Sequence, residues 1–145
     1  MPSLTIATVT EAEDLIRGLT LLGTGGGGRP DLGRRYLLDH IEAGCAIQLT
    51  DPADVPDGGW TCSVFGMGSI APARALDAGE RHRLGYGDWV VERPMAEAVR
   101  SLETHTGNRI SALVAFELGA GNTAGPIDAG TRLGIPVVDG DYAGR

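Results

Sequence analysis

The sequence predicts an α/β domain of two or three layers, built on a mixed, partly parallel sheet that closes with a C-terminal βαβ unit. Three observations carry that expectation. Short apolar runs alternate with segments of helical period, the pattern of strands separated by helices. The run Ile110-Ser111-Ala112-Leu113-Val114-Ala115-Phe116 is apolar enough to be covered on both faces, as strands of parallel sheets are. A glycine turn, a short helical segment and the run Ile135-Pro136-Val137-Val138 follow it. Together they read as strand, crossover and strand, with a right-handed connection. A chain of 145 residues corresponds to one domain around one core.

Each element has its own local reason. Leu4 to Val9 reads as a short strand or an extended lead-in. Thr10 and Glu13 have capping-box spacing, and Ala12, Leu15, Ile16, Leu19 and Leu22 follow at helical intervals, so a first helix is expected from Thr10 into Gly23. Pro30 and Asp31 open a second helix, because proline suits the first helical position and an acid there complements the dipole. Leu37, Leu38 and Ile41 supply its buried face, and Gly44 ends it. Cys45–Thr50 and Trp60–Phe65 read as strands joined by the turn-rich Asp51–Gly59. From Ser69 to Trp89 no period is sustained, and a stretch of that kind suits a lid, a hairpin or a partner contact. Pro94 starts a third helix, with Met95, Val99 and Leu102 on one face and Gly107 as its stop. Past the Ile110–Phe116 strand, Pro126–Leu133 reads as a short helix stopped by Gly134.

Composition narrows the function classes. Net charge is −7, and all 12 basic residues are arginine. Such a domain lacks the broad positive face that nucleic acid requires, so no nucleic-acid partner is expected. No apolar run reaches the roughly 18 residues of a membrane span, and Met1–Thr10 has neither a basic n-region nor a long apolar h-region. A cytoplasmic location without a membrane partner is the expectation. Cys45 and Cys62 show no metal-ligand spacing; both sit in apolar, strand-like runs and read as buried thiols.

Chemistry concentrates at two places. The first is Gly23-Thr24-Gly25-Gly26-Gly27-Gly28, five glycines in six residues between two helices. Consecutive amides in such a loop can form an anion-binding nest, and this one leads into a helix N-terminus, where an anion is favoured. Arg29 beside it is read equally as a bidentate anion contact or a solvated side chain; Arg81 and Arg83 are read as solvated. The second place is the ends of the last two strands, with Glu117 and Asn122 after one and Asp139 and Asp141 at the other. Ligands of open α/β sheets bind beyond the carboxyl ends of strands, so three carboxylates are expected to converge on one cleft. They would act as base or acid, or hold a hard metal ion. The plainer alternative has Asp139 and Asp141 capping turns and Asn122 capping a helix. No lysine follows the glycine loop, so it is no P-loop, and Gly119-Ala120-Gly121-Asn122 lacks the third glycine of a dinucleotide fingerprint. His40, His82 and His105 receive no role.

Taken in order, these motifs form a recognisable series: the Gly23–Gly28 block, Gly66-Met67-Gly68 with Ala71-Pro72, Glu117-Leu118-Gly119 with Asn122, and Leu133 to Asp141 with Gly144-Arg145. In this the chain resembles the N-terminal domain of the S-methyl thiohydantoin desulfurase family, formerly a domain of unknown function linked with hydantoinase genes. The resemblance covers nearly the whole chain, and the glycine block and the Pro136-to-Asp141 ending are its specific parts. Ala120 departs from a usual glycine pair, Arg29 stands where an acid often precedes the proline, and Ser69–Trp89 fits poorly. The resemblance implies hydrolysis at a hydantoin-like ring, with an S-methyl group leaving from the amidine-like carbon. By position and residue type, Glu117, Asp139 and Asp141 are then the expected catalytic set. Gly23, Thr24, Gly25, Gly26, Gly27, Gly28, Asn122 and Arg145 are the expected substrate-binding set. The cofactor is left unknown, a divalent metal at the carboxylates being one option.

The family continues past Gly144-Arg145 into a β-rich domain that this sequence does not include. A homo-oligomer or a second chain supplying that domain is therefore expected beside a small-molecule substrate, with Val137-Val138 needing cover from it. Two further readings stand beside the hydrolase: a non-catalytic partner module of a hydantoinase-like complex, and a phosphate- or nucleotide-binding domain using the glycine loop.

Overall fold

The computed structural model describes residues 4–24, 26–67, 74–86 and 91–144. Among them five strands form one sheet: β1 (Leu4–Ile6), β2 (Ile47–Thr50), β3 (Trp60–Cys62), β4 (Ile110–Ala115) and β5 (Val137–Asp141). The spatial order is β1-β2-β5-β4-β3. Only β1 runs antiparallel, beside β2; the β2–β5, β5–β4 and β4–β3 pairs are parallel. The sheet is mixed and mostly parallel, as the apolar β4 run requires.

Helices α1 (Val9–Gly23), α2 (Pro30–Glu42), α4 (Pro94–Thr106) and α5 (Ala120–Leu133) share one core with the sheet, while α3 (Ala78–Arg83) buries no residue. At its centre α5 packs against α1, α2 and α4 and lies on β4 and β5. Leu37, Val99, Leu113 and Ile127 are fully buried there. Side chains alternate across a strand, so Ala112, Val114 and Val138 face the other way and pack with Val55. The architecture is therefore a two-layer α/β domain. Val137 and Val138 are buried within it, so the expected need for outside cover does not arise.

Several boundaries differ from expectation, each for a physical reason. The first helix starts at Val9, because the capping box is Thr8 with Glu11: Thr8 Oγ1 accepts from the Glu11 amide at 3.2 Å, and Glu11 Oε2 accepts from the Thr8 amide at 3.0 Å. Glu13 is engaged elsewhere, in an ion pair with Arg34 of α2. Helix α5 starts at Ala120 and carries Pro126 in its interior. Proline disfavours that position, but burial of α5 on nearly every side overrides the local preference. Small residues make this burial feasible: a Cβ on Gly33 of α2 would collide with the Ala120 carbonyl. Cys45 lies outside β2 and is exposed, whereas Cys62 is buried as expected. Within Ser69–Trp89 the sequence showed no period, yet α3 forms there on a capping box between Asp77 and Glu80; residues 69–73 and 87–89 lie outside the described residues.

Candidate functional site

The glycine loop meets the start of α5 backbone to backbone. Gly27 and Gly28 adopt φ of 62° and 82°, the left-handed region where only glycine is unstrained. The Gly27 carbonyl accepts hydrogen bonds from the Gly121 and Asn122 amides, both at 2.9 Å. A Cβ on Gly27 would lie 2.5 Å from Gly119 Cα, and one on Gly28 2.9 Å from Gly121 Cα. Gly23 is nearly as close to Gly119, and its carbonyl accepts from the Gly26 amide at 3.0 Å. Close packing thus accounts for several of these glycines before any ligand is considered. Thr24 is exposed and, at φ 42°, ends α1.

Beside this contact stands Glu117, half-buried just past the end of β4. Its Oε1 accepts from Asn122 Nδ2 at 3.0 Å and lies 3.9 Å from where a Cβ on Gly26 would sit. The loop, Glu117 and Asn122 therefore come together as the sequence predicts. Asn122 does not cap α5 with its side chain; it ties Glu117 to the helix whose first turn holds the loop.

Asp141 behaves differently. Its Oδ2 accepts from the Leu118 amide at 2.9 Å and its Oδ1 from the Gly144 amide at 2.6 Å, so both oxygens hold the backbone together. Asp139 and Asp141 line a cleft of about 440 Å³ with Leu118, Thr123 and apolar residues of α1, β2 and α5. Among the described residues no three His, Cys, Asp or Glu side chains gather as they would around a metal ion. Glu117 is thus bonded to Asn122 beside the loop, Asp139 and Asp141 line the cleft, and Asp141 is tied to the Leu118 amide next to Glu117; the three do not form a metal-holding group among the described residues. Gly25 and Arg145 lie outside the described residues. Arg29 pairs with Asp31 through Nε and a terminal nitrogen at 3.1 and 2.6 Å, on the surface.

A family model described as "S-Me-THD-like, N-terminal domain" matches residues 10–145. The chain belongs to this S-Me-THD-like family. A crystal structure of a protein from Chromobacterium violaceum, solved by the Northeast Structural Genomics Consortium, is similar to the S-Me-THD-like domain at 21% identity with a TM-score of 0.65. The match covers 95% of this chain and 35% of that one, so the S-Me-THD-like domain spans about a third of that relative's length. At this identity the likeness shows the fold. Among curated proteins nothing matches this chain.

One polar centre of the domain lies outside any sequence expectation. His40 of α2 and Asp128 of α5 are both buried, with His40 Nε2 2.9 Å from Asp128 Oδ1. Arg132 Nε donates to the same oxygen at 2.8 Å. Burial works against the Asp128 charge, yet the His40 hydrogen bond and Arg132 outweigh it and hold the carboxyl below its ordinary range. The signal was present in the i, i+4 spacing of Asp128 and Arg132; the partner 88 positions away in sequence was not readable. The cluster pins α2 to α5, the two helices that flank the loop.

Proposed function

We propose that this domain supplies the water-activating carboxylate of a hydrolase that acts on hydantoin-like rings and releases an S-methyl group. The observation that carries the reading is the placement of Glu117, bonded to Asn122 Nδ2 at 3.0 Å and set against the Gly26 backbone. A carboxylate oriented by a fixed amide is positioned to take a proton from water. That water attacks the ring carbon between the two nitrogens, and the carbon becomes tetrahedral. The C=N electron pair moves to the ring nitrogen, which takes the proton left on the attacking oxygen; a carbonyl then forms, the C–S bond breaks, and methanethiol leaves with the proton that Glu117 had taken. Asp141, whose oxygens hold Leu118 and Gly144, fixes the strand end that presents the site.

Family membership and the common placement of the loop, Glu117 and Asn122 support this reading. Glu117→Gln in a full-length member of the family tests it. Turnover should fall at least about 100-fold, with an unchanged melting temperature. Retained turnover would remove Glu117 as the base.

A further inference from the structure

The cleft beside the site has a chemistry that proton transfer does not use. Leu15 and Leu19 of α1, Leu49 of β2 and Ile127 of α5 line its wall; all but the half-buried Leu15 are buried. Asp139, exposed, and Asp141, half-buried, stand at its outer end. The inner wall is therefore apolar and the mouth acidic. At about 440 Å³ the space exceeds what a bare five-membered ring needs and lies within the range of small-molecule sites, about 300–1,000 Å³. Leu118 and Thr123, the chain neighbours of Glu117 and Asn122, also line it, and the Leu118 amide donates to Asp141 at 2.9 Å, so the acidic end of the cleft is tied to the segment that carries Glu117.

Building on the hydrolytic reading, we infer that the domain selects hydantoin-like substrates carrying an uncharged alkyl group on the ring. The alkyl group fills the apolar cleft while the ring stays at its mouth beside Glu117. Each methylene moved from water to such a wall adds a roughly constant increment of affinity. An anionic substituent is disfavoured twice, by desolvation against leucine and isoleucine and by the carboxylates at the mouth. The net charge of −7 acts in the same direction.

Titration calorimetry on the intact protein tests this without turnover, using hydantoin, 5-methylhydantoin, 5-isobutylhydantoin and hydantoin-5-acetic acid as probes. Affinity should rise about fourfold per added carbon through the alkyl series, and the acetic acid derivative should bind more weakly than the 5-methyl compound. Leu15→Trp, at a half-buried position on the wall, should erase the isobutyl advantage and leave 5-methylhydantoin within about twofold. Asp139→Asn, at an exposed position, should narrow the penalty on the acid. An affinity flat across the alkyl series, tighter binding of the acid, an isobutyl advantage indifferent to Leu15→Trp, or no binding of any probe would each overturn the inference. Glu117→Gln separates it from the reading beneath. If that variant keeps both turnover and alkyl preference, the base assignment fails and the cleft assignment survives. If it loses turnover while the alkyl series is flat, the reverse holds.

Discussion

Gly27 and Gly119 lie so close that neither has room for a methyl group: a Cβ on Gly27 would fall 2.5 Å from Gly119 Cα, and one on Gly119 would collide with the Gly27 backbone. A contact of this kind joins two segments about ninety positions apart through main chain alone. Its consequence is measurable. Gly27→Ala should lose about 2–4 kcal/mol of stability in urea denaturation, from the strained φ and the clash together. Gly18→Ala is the control, since a Cβ there meets nothing within 4 Å and φ is ordinary for a helix; it should gain about 0.5–1 kcal/mol. Equal responses of the two variants would show that the loop is not packed in this way.

The His40–Asp128–Arg132 cluster makes a prediction in pH. Asp128 has a folded pKa below its ordinary value despite its burial, because His40 and Arg132 favour the charged form. A carboxyl with a lowered folded pKa contributes stability that is present above its unfolded pKa, about 3.9. That contribution is lost as pH falls through the folded pKa. Asp128→Asn should therefore cost about 2–4 kcal/mol at pH 7, and the gap to the parent protein should shrink below about pH 4. Chemical denaturation at several pH values gives the slope directly; a gap that widens with acid would reverse the assignment.

Asn122 should matter for chemistry through Glu117 alone. Asn122→Ala removes the hydrogen bond to Oε1, and losing a bond to a charged group is worth roughly 10- to 100-fold in kcat/KM. Asn122→Asp sets a second carboxylate against the first. Like charges disfavour ionisation, so the acid limb of the pH–rate profile should move to higher pH by about one unit. An unmoved limb would separate Asn122 from the base.

The two cysteines should divide cleanly in a thiol assay. Cys45 is exposed, while Cys62 is buried and its thiol is pushed up by burial and by the Glu103 carboxylate. Reactive thiolate is scarce in such surroundings. Native protein should expose one fast thiol to an aromatic disulfide reagent and a second only in denaturant.

Much of the fold was legible in period and punctuation. The β4 run, the Pro30 and Pro94 helix starts and the Gly107 and Gly134 stops are set by local preference and appear where expected. What was not legible depends on partners distant in sequence. Thr8 and Thr10 each stand three residues before a glutamate; Glu11 closes the capping box on Thr8, while Glu13 pairs with Arg34 of α2, a partner the local spacing does not reveal. Pro126 reads locally as a helix start, yet the loop carbonyl of Gly27 organises a turn ahead of it. The same limit applied to the site. Glu117 and Asn122 were recognisable from their glycine surroundings, but Asp141 holds, besides the Gly144 amide, the Leu118 amide 23 positions away, and that bond was not.

The beginning of α5 is already occupied by the protein itself. The Gly121 and Asn122 hydrogens point at the Gly27 oxygen, and the Gly119 hydrogen points at the Thr123 hydroxyl. A negatively charged visitor at this corner must compete with that oxygen for the same hydrogens. Those two amide protons should therefore exchange slowly with solvent in the native protein.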